Sequence, residues 1–404
     1  MSSRSIRATT LAAVLASTWT TAASAQTKLP TVNCADQPNP IYVTGSSALK
    51  SFIGVVGKLL ASDPTPSTVV YQSQGSCVGV STVYEADPSK RLIKDSPTNY
   101  AIFYKADGTS QECFLPEAGQ EVTIGASDVY AKTCGYDSLS NVSDSFGPVQ
   151  PMTFVVPASS KQTSISAELA YVAFGLGGHD AAFPLPWNDP SFFFVRNASS
   201  GTQQMIATSI GVPAAKWWGV NRGGSSAVRD QMKVIVDPVQ AEKSIGILST
   251  DIADVERANL RVLAYQATGQ TCAFYPDSTP TARDKANVRD GHYDIWGPSH
   301  LFTRTTNGSP ASSAALAFLA RFVVPLIPQD LLDAEIDGAL VPQCAMRVSR
   351  GEEVGALSSS QPAFSCGCYF DFRTTGRSAC QTCETSNDCP SSEPTCNFGY
   401  CEVQ

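Results

Sequence analysis

The sequence predicts an α/β fold with a largely parallel sheet, because strand-like runs alternate along the chain with helix-like runs. The chain has 404 residues, of which 43% are hydrophobic and 16% are charged, a composition typical of a folded protein. At about 100 to 200 residues per domain, this length predicts two or three globular units. The composition excludes a wholly disordered chain and a coiled coil.

Each secondary-structure element is predicted from the spacing of apolar residues. Short apolar runs predict strands, and longer stretches with apolar residues every three or four positions predict helices. Residues 86–121 are polar, contain many turn residues and lack periodicity, so we interpret them as a surface insertion. Strands are expected at 41–43, 68–71, 122–124, 152–156, 192–195, 244–248 and 260–265, and helices at 49–60, after 76, at 168–174, after 202 and at 311–324.

The first 25 residues are typical of a cleavable secretory signal peptide. Arg4 and Arg7 precede the apolar stretch 11–15, and Ala-Ser-Ala at 23–25 provides a small-residue cleavage site. This apolar stretch is far shorter than the roughly 20 residues that a membrane-spanning helix needs. We therefore predict a periplasmic or secreted protein that is cut after Ala25 and has no membrane span.

The charge of the chain bears on its partners. The formal net charge is -8 at pH 7, whereas a general nucleic-acid-binding protein would be basic, so no nucleic-acid partner is expected. No motif in the sequence implies a metal ion or an organic cofactor, and none is predicted. We expect a monomer.

The 13 cysteines all follow residue 25, which fits an oxidising compartment where disulfides persist. Seven of them lie within residues 366–404, and Cys344 is the candidate for an eighth partner. The CxxC pair of Cys380 and Cys383 lacks a neighbouring histidine or a second CxxC, which favours a disulfide-rich module over a zinc site. The pairing is left open by the sequence, and an odd total leaves at least one thiol free or bonded to another chain.

Four predicted strands end in turns of small polar residues, and each turn alone would be typical of an ordinary loop. In a parallel α/β sheet these turns gather at the carboxyl ends of the strands, where ligands bind. Free N–H groups at the helix starts, hydroxyl groups and the nearby Arg196 would attract a compact oxyanion. The turns are Gly45-Ser46-Ser47-Ala48, Gly75-Ser76-Cys77, Gly125-Ala126-Ser127-Asp128 and Ser199-Ser200-Gly201-Thr202.

These segments resemble the periplasmic phosphate-binding proteins of ABC transporters, which belong to the two-lobed type II solute-binding superfamily. Residues 196–202 are similar to the family's R-x-D-G-S-G-T loop, and residues 75–80 to its G-S-S-G-G-V loop. Residues 44–48, 125–128 and 243–247 resemble its first loop, its G-A-S-D turn and its G-S-I-G-Y strand. The resemblance covers roughly residues 40 to 325 in the same order along the chain.

The resemblance implies two α/β lobes with exchanged connections, joined by a hinge, and a binding function without enzymatic turnover. It implies a first lobe of residues 36–151 and 297–343, including the insertion, a second lobe of residues 152–296, and an added cysteine-rich module at 344–404. The implied ligand-binding residues are Arg196 as the clamp, Ser47, Ser76, Ser200 and Thr202 as hydroxyl donors, Ala48, Leu49 and Gly201 as backbone donors, and Asp128 as the acceptor of a ligand proton.

The chain departs from the family pattern at two positions. Ala48 stands where the family usually has a threonine donor, and Ala198 stands where it has an aspartate beside the arginine. Asp128 is retained, and a carboxylate in an anion site favours a protonated ligand such as hydrogen phosphate over sulfate. The alternative role for Asp128 is an N-cap of the following helix.

The resemblance implies inorganic phosphate or a similar small anion as ligand and an ABC transporter permease as partner. An alternative is a surface or extracellular interaction protein in which the cysteine-rich module binds a partner. A remote alternative is a hydrolase with Cys77 as nucleophile, but no histidine lies near Cys77 in the sequence.

Overall fold

The computed structural model describes residues 29–179, 186–322, 327–360 and 362–403. The predicted signal peptide and its cleavage site lie outside the described residues, as do positions 323 and 324 of the helix predicted at 311–324. Within these ranges, no helix is both long enough and apolar enough to cross a membrane.

Strands and helices alternate through most of the chain, as predicted for an α/β fold. The strands are β1 (Pro40–Gly45), β2 (Thr68–Ser73), β3 (Leu92–Ile93), β4 (Ala101–Tyr104), β5 (Ser110–Cys113), β6 (Gln120–Glu121), β7 (Ile124–Ser127), β8 (Val142–Pro157), β9 (Ser164–Ser166), β10 (Phe193–Val195), β11 (Val220–Asn221), β12 (Ile245–Ser249), β13 (Leu260–Val262), β14 (Ala264–Gln266), β15 (Trp296–Thr306), β16 (Ser309–Pro310), β17 (Val348–Ser349), β18 (Ser358–Ser359), β19 (Thr395–Asn397) and β20 (Tyr400–Glu402).

The helices bury the faces that their apolar spacing predicts. In α1, for example, Phe52, Ile53, Val56 and Leu60 all point into the core. The helices are α1 (Lys50–Ala61), α2 (Ser76–Tyr84), α3 (Ala167–Ala170), α4 (Gly201–Ile210), α5 (Ser225–Lys233), α6 (Pro238–Lys243), α7 (Thr250–Val255), α8 (Ala286–Arg289), α9 (Ser313–Leu319), α10 (Gln329–Asp337) and α11 (Gly367–Thr375).

The largest sheet is mixed, so the prediction of a largely parallel sheet is wrong. Its strand order is β11-β10-β12-β8-β15-β7-β1-β2-β4-β5. β1 pairs in parallel with β2 and β7, and β10 pairs in parallel with β11 and β12. Between these two parallel units, β8 and β15 run antiparallel to each other and to their outer neighbours. We call the β7-β1-β2 unit with its edge strands the first lobe and the β12-β10-β11 unit the second lobe.

The long strands β8 and β15 join the two lobes. The early part of β8 pairs with β15, from Val142 opposite Arg304 to Pro151 opposite Trp296. The later part of β8 pairs with β12, with Met152 opposite Ser249. The predicted lobe boundaries, 151/152 and 296/297, lie close to the point where β8 exchanges β15 for β12 as its partner. The division of the chain into lobes at those residues remains a prediction.

The predicted surface insertion contains more structure than expected. β4 extends the first lobe by pairing antiparallel with β2, and β5 pairs with β4 at the sheet edge. A disulfide between Cys34 and Cys113 ties β5 to the start of the described chain, and Phe103 is buried beneath it. The apolar spacing did not predict these strands, because an edge strand such as β5 carries mainly polar, exposed residues.

The cysteine-rich module is held by disulfides, as predicted. Cys344 bonds to Cys366, which confirms Cys344 as the eighth partner. Three further bonds lie within the module and join Cys368 to Cys380, Cys383 to Cys396, and Cys389 to Cys401. The sulfur atoms of Cys383, Cys389 and Cys401 lie close together, but each is consumed in a disulfide, so they are not metal ligands.

Helix α11 of the module contacts helices that precede and follow β15 in the sequence. Tyr369 donates its hydroxyl proton to Asp333 of α10 at 2.5 Å, and α10 follows β15 in the chain. Asp371 accepts a hydrogen bond from Arg289 of α8 at 2.5 Å, and α8 precedes β15. The module is therefore anchored to α8 and α10, the helices that precede and follow β15 in the sequence.

The disulfide pattern predicts one free thiol per chain, because Cys272 is the cysteine left after six bonds are made. Thiol titration of the oxidised, denatured protein should give one equivalent, and Cys272→Ser should give none. A value of three or more equivalents in the unmodified protein would contradict the pairing.

Candidate functional site

The four polar turns predicted from the sequence lie together between the lobes. The turn after β1 is bonded to the end of β7, since Ser46 N–H donates to Ala126 O at 2.9 Å. The start of α2 in the first lobe meets the turn before α4 in the second, since Cys77 N–H donates to Ser199 O at 3.0 Å. The lobes are therefore in contact at the carboxyl ends of their parallel strands, where the sequence predicts the ligand.

Arg196 follows β10 and lies at the centre of these turns. Its Nε donates to Gly223 O at 2.9 Å, and Nη1 donates to Ser225 Oγ at 2.5 Å and to Thr202 Oγ1 at 3.4 Å. Its Nη2 donates across the interface to Ser47 Oγ of the first lobe at 2.7 Å. All of these acceptors are neutral, so hydroxyl and carbonyl groups position the guanidinium without cancelling its charge.

The charge of Arg196 is buried, since only 3% of the residue is exposed. Among the described residues, no carboxylate oxygen lies within 4.0 Å of its guanidinium nitrogens. Burial lowers the pKa of Arg196 to about 10, and the more distant charges of Asp128 and Asp251 oppose this shift. A buried cation without a counter-ion is unfavourable, so this position favours an anionic ligand.

Asp128 lies on the first-lobe side of the same region and is 1% exposed. Its Oδ2 accepts hydrogen bonds from Ser46 Oγ at 2.5 Å and Ser76 Oγ at 3.2 Å. Its Oδ1 is buried and has no partner among the described residues. The N-cap of the following helical turn is Tyr130, so the alternative of Asp128 as that cap is wrong.

The groups around Asp128 shift the pKa of its carboxyl in opposing directions. Burial raises the pKa of the Asp128 carboxyl above its ordinary value. The hydroxyl donors of Ser46 and Ser76 and the charge of Arg196 act in the opposite direction. With one oxygen saturated by hydroxyl donors and one unpaired, the carboxylate can accept a proton that a ligand carries.

The remaining predicted residues surround these two charges. Ser200 is buried with a hydroxyl that has no partner in the described chain, and it is the N-cap position of α4. Ala48 N–H donates to Ser46 Oγ at 3.1 Å, and Leu49 is the N-cap position of α1. The structure thus brings together all nine predicted residues: Ser47, Ala48, Leu49, Ser76, Asp128, Arg196, Ser200, Gly201 and Thr202.

Three residues of the site were missed from the sequence. Ser46 bonds Asp128, and Ser225 bonds Arg196 from the start of α5. Ser225 follows two glycines, Gly223-Gly224, and this small polar turn has the same character as the other four, so the signal was present. Asp251 lies in the first turn of α7, accepts a hydrogen bond from Gln150 Nε2 at 3.3 Å and acts electrostatically on Arg196 and Asp128, which no local motif indicates.

The Cys77 thiol required by the hydrolase alternative is absent. Cys77 forms a disulfide with Cys134, so it carries no nucleophilic thiolate. His300 is buried, and its Nδ1 lies 2.8 Å from Asp144 Oδ2. The alternative of a cysteine nucleophile is therefore wrong for the oxidised protein.

Replacement of Gly201 should disrupt the contact between the lobes. A Cβ at this position would lie 2.3 Å from Ser76 Oγ and 2.7 Å from Asp128 Oδ2, both buried. Gly201→Ala should lower the urea-derived free energy of unfolding by about 1–3 kcal/mol, the usual effect of overpacking. Gly351→Ala is the matched control, because a Cβ at 351 meets no atom within 4 Å. Equal stability of the two variants would contradict the close approach.

Stability should depend on pH through Asp251. Removal of its carboxyl group from water raises the pKa of Asp251 to about 7, against about 3.9 for an unfolded aspartate. The folded state holds the extra proton between these values, so the contribution of Asp251 to the unfolding free energy should fall as pH rises from about 4 to about 7 and then level off. Asp251→Asn should remove part of this fall in urea titrations, whereas exposed Asp137→Asn should retain it. An unchanged slope in Asp251→Asn would refute the assignment.

Known proteins resemble this chain in structure and not in sequence. No protein-family model and no curated protein sequence matches the chain. A phosphate ABC transporter substrate-binding protein from Clostridium perfringens, solved with bound phosphate, aligns with a TM-score of 0.50 at 11% identity, over 75% of this chain and 99% of that one.

Two other solved structures align less well. An ABC-type phosphate transport receptor from Vibrio cholerae has a TM-score of 0.44 at 14% identity, over 74% of this chain and 99% of that one. A phosphate-binding protein from Stenotrophomonas maltophilia has a TM-score of 0.43 at 12% identity, over 75% and 90%. Together with the mixed sheet and the disulfides described above, the Clostridium perfringens structure shows that this chain has the two-lobed fold of a phosphate transporter substrate-binding protein, extended by a disulfide-rich C-terminal module.

Proposed function

We propose that the protein binds a small oxyanion, phosphate in particular, between its two lobes. The observation that carries this proposal is the buried guanidinium of Arg196, which is held by neutral acceptors and lacks a counter-ion in the described chain. A tetrahedral oxyanion would supply the missing charge and accept hydrogen bonds from the guanidinium in place of some of these neutral acceptors. The helices α1, α2, α4 and α5 all begin at this point, so their positive dipole ends add to the attraction.

Asp128 supports phosphate over a fully deprotonated anion. A carboxylate repels an anion unless the anion donates a proton to it, and hydrogen phosphate carries such a proton at neutral pH whereas sulfate does not. The unpaired Oδ1 of Asp128 is a suitable acceptor. Ser200, with its unpaired hydroxyl, is a further donor to the ligand.

We also propose that the protein is exported and that it serves a transporter. The predicted signal peptide would deliver the protein to the periplasm or the exterior, where the disulfides of the module persist. The protein would act as a monomer that passes its ligand to an ABC transporter permease. Its activity would be binding without chemical turnover, and the similar Clostridium perfringens protein is named as a substrate-binding protein.

Calorimetric titration of the mature protein with phosphate, after partial unfolding to strip bound anion, tests the proposal. Arg196→Ala should weaken phosphate binding by roughly 30-fold or more, because loss of one partner of a buried charge pair costs about 2–5 kcal/mol. Arg347→Ala, which removes an exposed arginine paired with Asp290, should bind as the unmodified protein does. Absence of heat and of any thermal shift with both phosphate and sulfate would refute the proposal.

Asp128→Asn should change the selectivity of the site. The amide can donate a hydrogen bond and carries no charge, so sulfate should bind more tightly and phosphate less tightly than in the unmodified protein. The ratio of the two dissociation constants, measured by calorimetry at pH 7.5, should move toward sulfate by at least tenfold. An unchanged ratio would show that Asp128 does not select the anion.

A further inference from the structure

A second anion-binding candidate lies in the first lobe, away from the cleft. It is a pocket of about 470 Å³ whose wall includes Pro40 at the start of β1. β1 ends at Gly45 in the cleft, so Pro40 and the cleft lie at opposite ends of this strand, roughly 17 Å apart at 3.3 Å per residue. None of the nine residues predicted for the cleft lines this pocket.

Two arginines face this pocket and meet at a single carbonyl oxygen. Glu85, the C-cap residue that follows α2, accepts at its backbone oxygen from Arg91 Nε at 2.8 Å and from Arg304 Nη2 at 2.7 Å. Arg91 Nη2 also donates to Ala86 O at 2.6 Å. These bonds satisfy the carbonyl groups at the end of a helix, which is a usual structural role for arginine.

Helix capping leaves part of this arrangement unexplained. Nε of Arg304 is buried and has no hydrogen-bond partner among the described residues. Among the described residues, the one carboxylate within 4.0 Å of either guanidinium is that of Glu121, which lies 3.8 Å from Arg91 Nη1 and is 57% exposed. The two guanidinium groups therefore place more positive charge in the pocket than this carboxylate cancels.

The charge of Arg304 is destabilised by its surroundings. Burial lowers its pKa, the neighbouring charge of Arg91 lowers it further, and Glu121 only partly opposes these effects. Two like charges held at one oxygen atom repel each other, and an anion between them would remove that repulsion.

The size and walls of the pocket indicate an organic ligand. A volume of about 470 Å³ is within the usual range for small-molecule sites and exceeds the needs of a lone phosphate. Half-buried apolar side chains of Pro40, Val122 and Ala314 line the space beside the arginines. We propose that this pocket binds a small phosphomonoester, with the phosphoryl group on Arg304 and Arg91 and the organic part against these apolar residues.

Phenyl phosphate is the probe for this site, and Arg196→Ala is the background that removes the cleft. Calorimetry should show phenyl phosphate binding to the Arg196→Ala protein, and binding of inorganic phosphate should be at least fivefold weaker, because it does not use the apolar wall. Adding Arg304→Gln should weaken phenyl phosphate binding by at least tenfold. Adding Arg347→Gln, which removes a charge outside the pocket, should leave it unchanged.

The results of these titrations distinguish binding in this pocket from binding in the cleft. Absence of phenyl phosphate binding to Arg196→Ala, or equal affinity in the Arg304→Gln and Arg347→Gln proteins, would overturn the second site whatever the cleft binds. Arg91→Gln provides a second variant that changes the rim of the pocket, and it should also weaken binding at least several-fold. Thermal unfolding of each variant establishes that a loss of binding is not a loss of fold.

Discussion

The guanidinium of Arg196 imposes the constraint on which the rest of the cleft depends. It is a buried charge held by Ser47 of the first lobe and by Thr202, Gly223 and Ser225 of the second, so the lobes must meet around it. Neutral acceptors fix its direction and leave its charge available. The hydroxyl-rich turns, the helix starts and the close approach at Gly201 are all consistent with this single requirement.

At the two positions where the chain departs from the family pattern, the structure shows which neighbouring groups act instead. Ala198 removes the carboxylate expected beside the arginine, and the Arg196 fork is instead held by the hydroxyls of Ser47 and Ser225. Ala48 removes a hydroxyl, while Ser46 supplies one to Asp128 from the same turn. A site of this kind keeps its geometry with fewer charges, so in the proposed binding function its selectivity would rest more heavily on Asp128.

Local features were predictable from the sequence, and long-range pairing was not. The small polar turns, the buried face of α1 and the pairing of Cys344 each follow from residues close together or from simple counting. The antiparallel course of β15 depends on β7 and β8, more than a hundred residues earlier, and no local pattern carries that information. Asp251 was missed for the same reason, because only the tertiary fold brings α7 to Gln150.

The position of β15 also has a consequence for the order of folding. Leu301 of β15 lies opposite Ala126 of β7, so the first lobe completes its sheet with a strand made after the whole second lobe. Contacts of such long sequence separation slow folding, because closing the long intervening loop costs chain entropy before the contacts form. The first lobe should therefore mature late, and the second lobe, whose strands β10, β11 and β12 follow one another in the chain, should be the earlier folding unit.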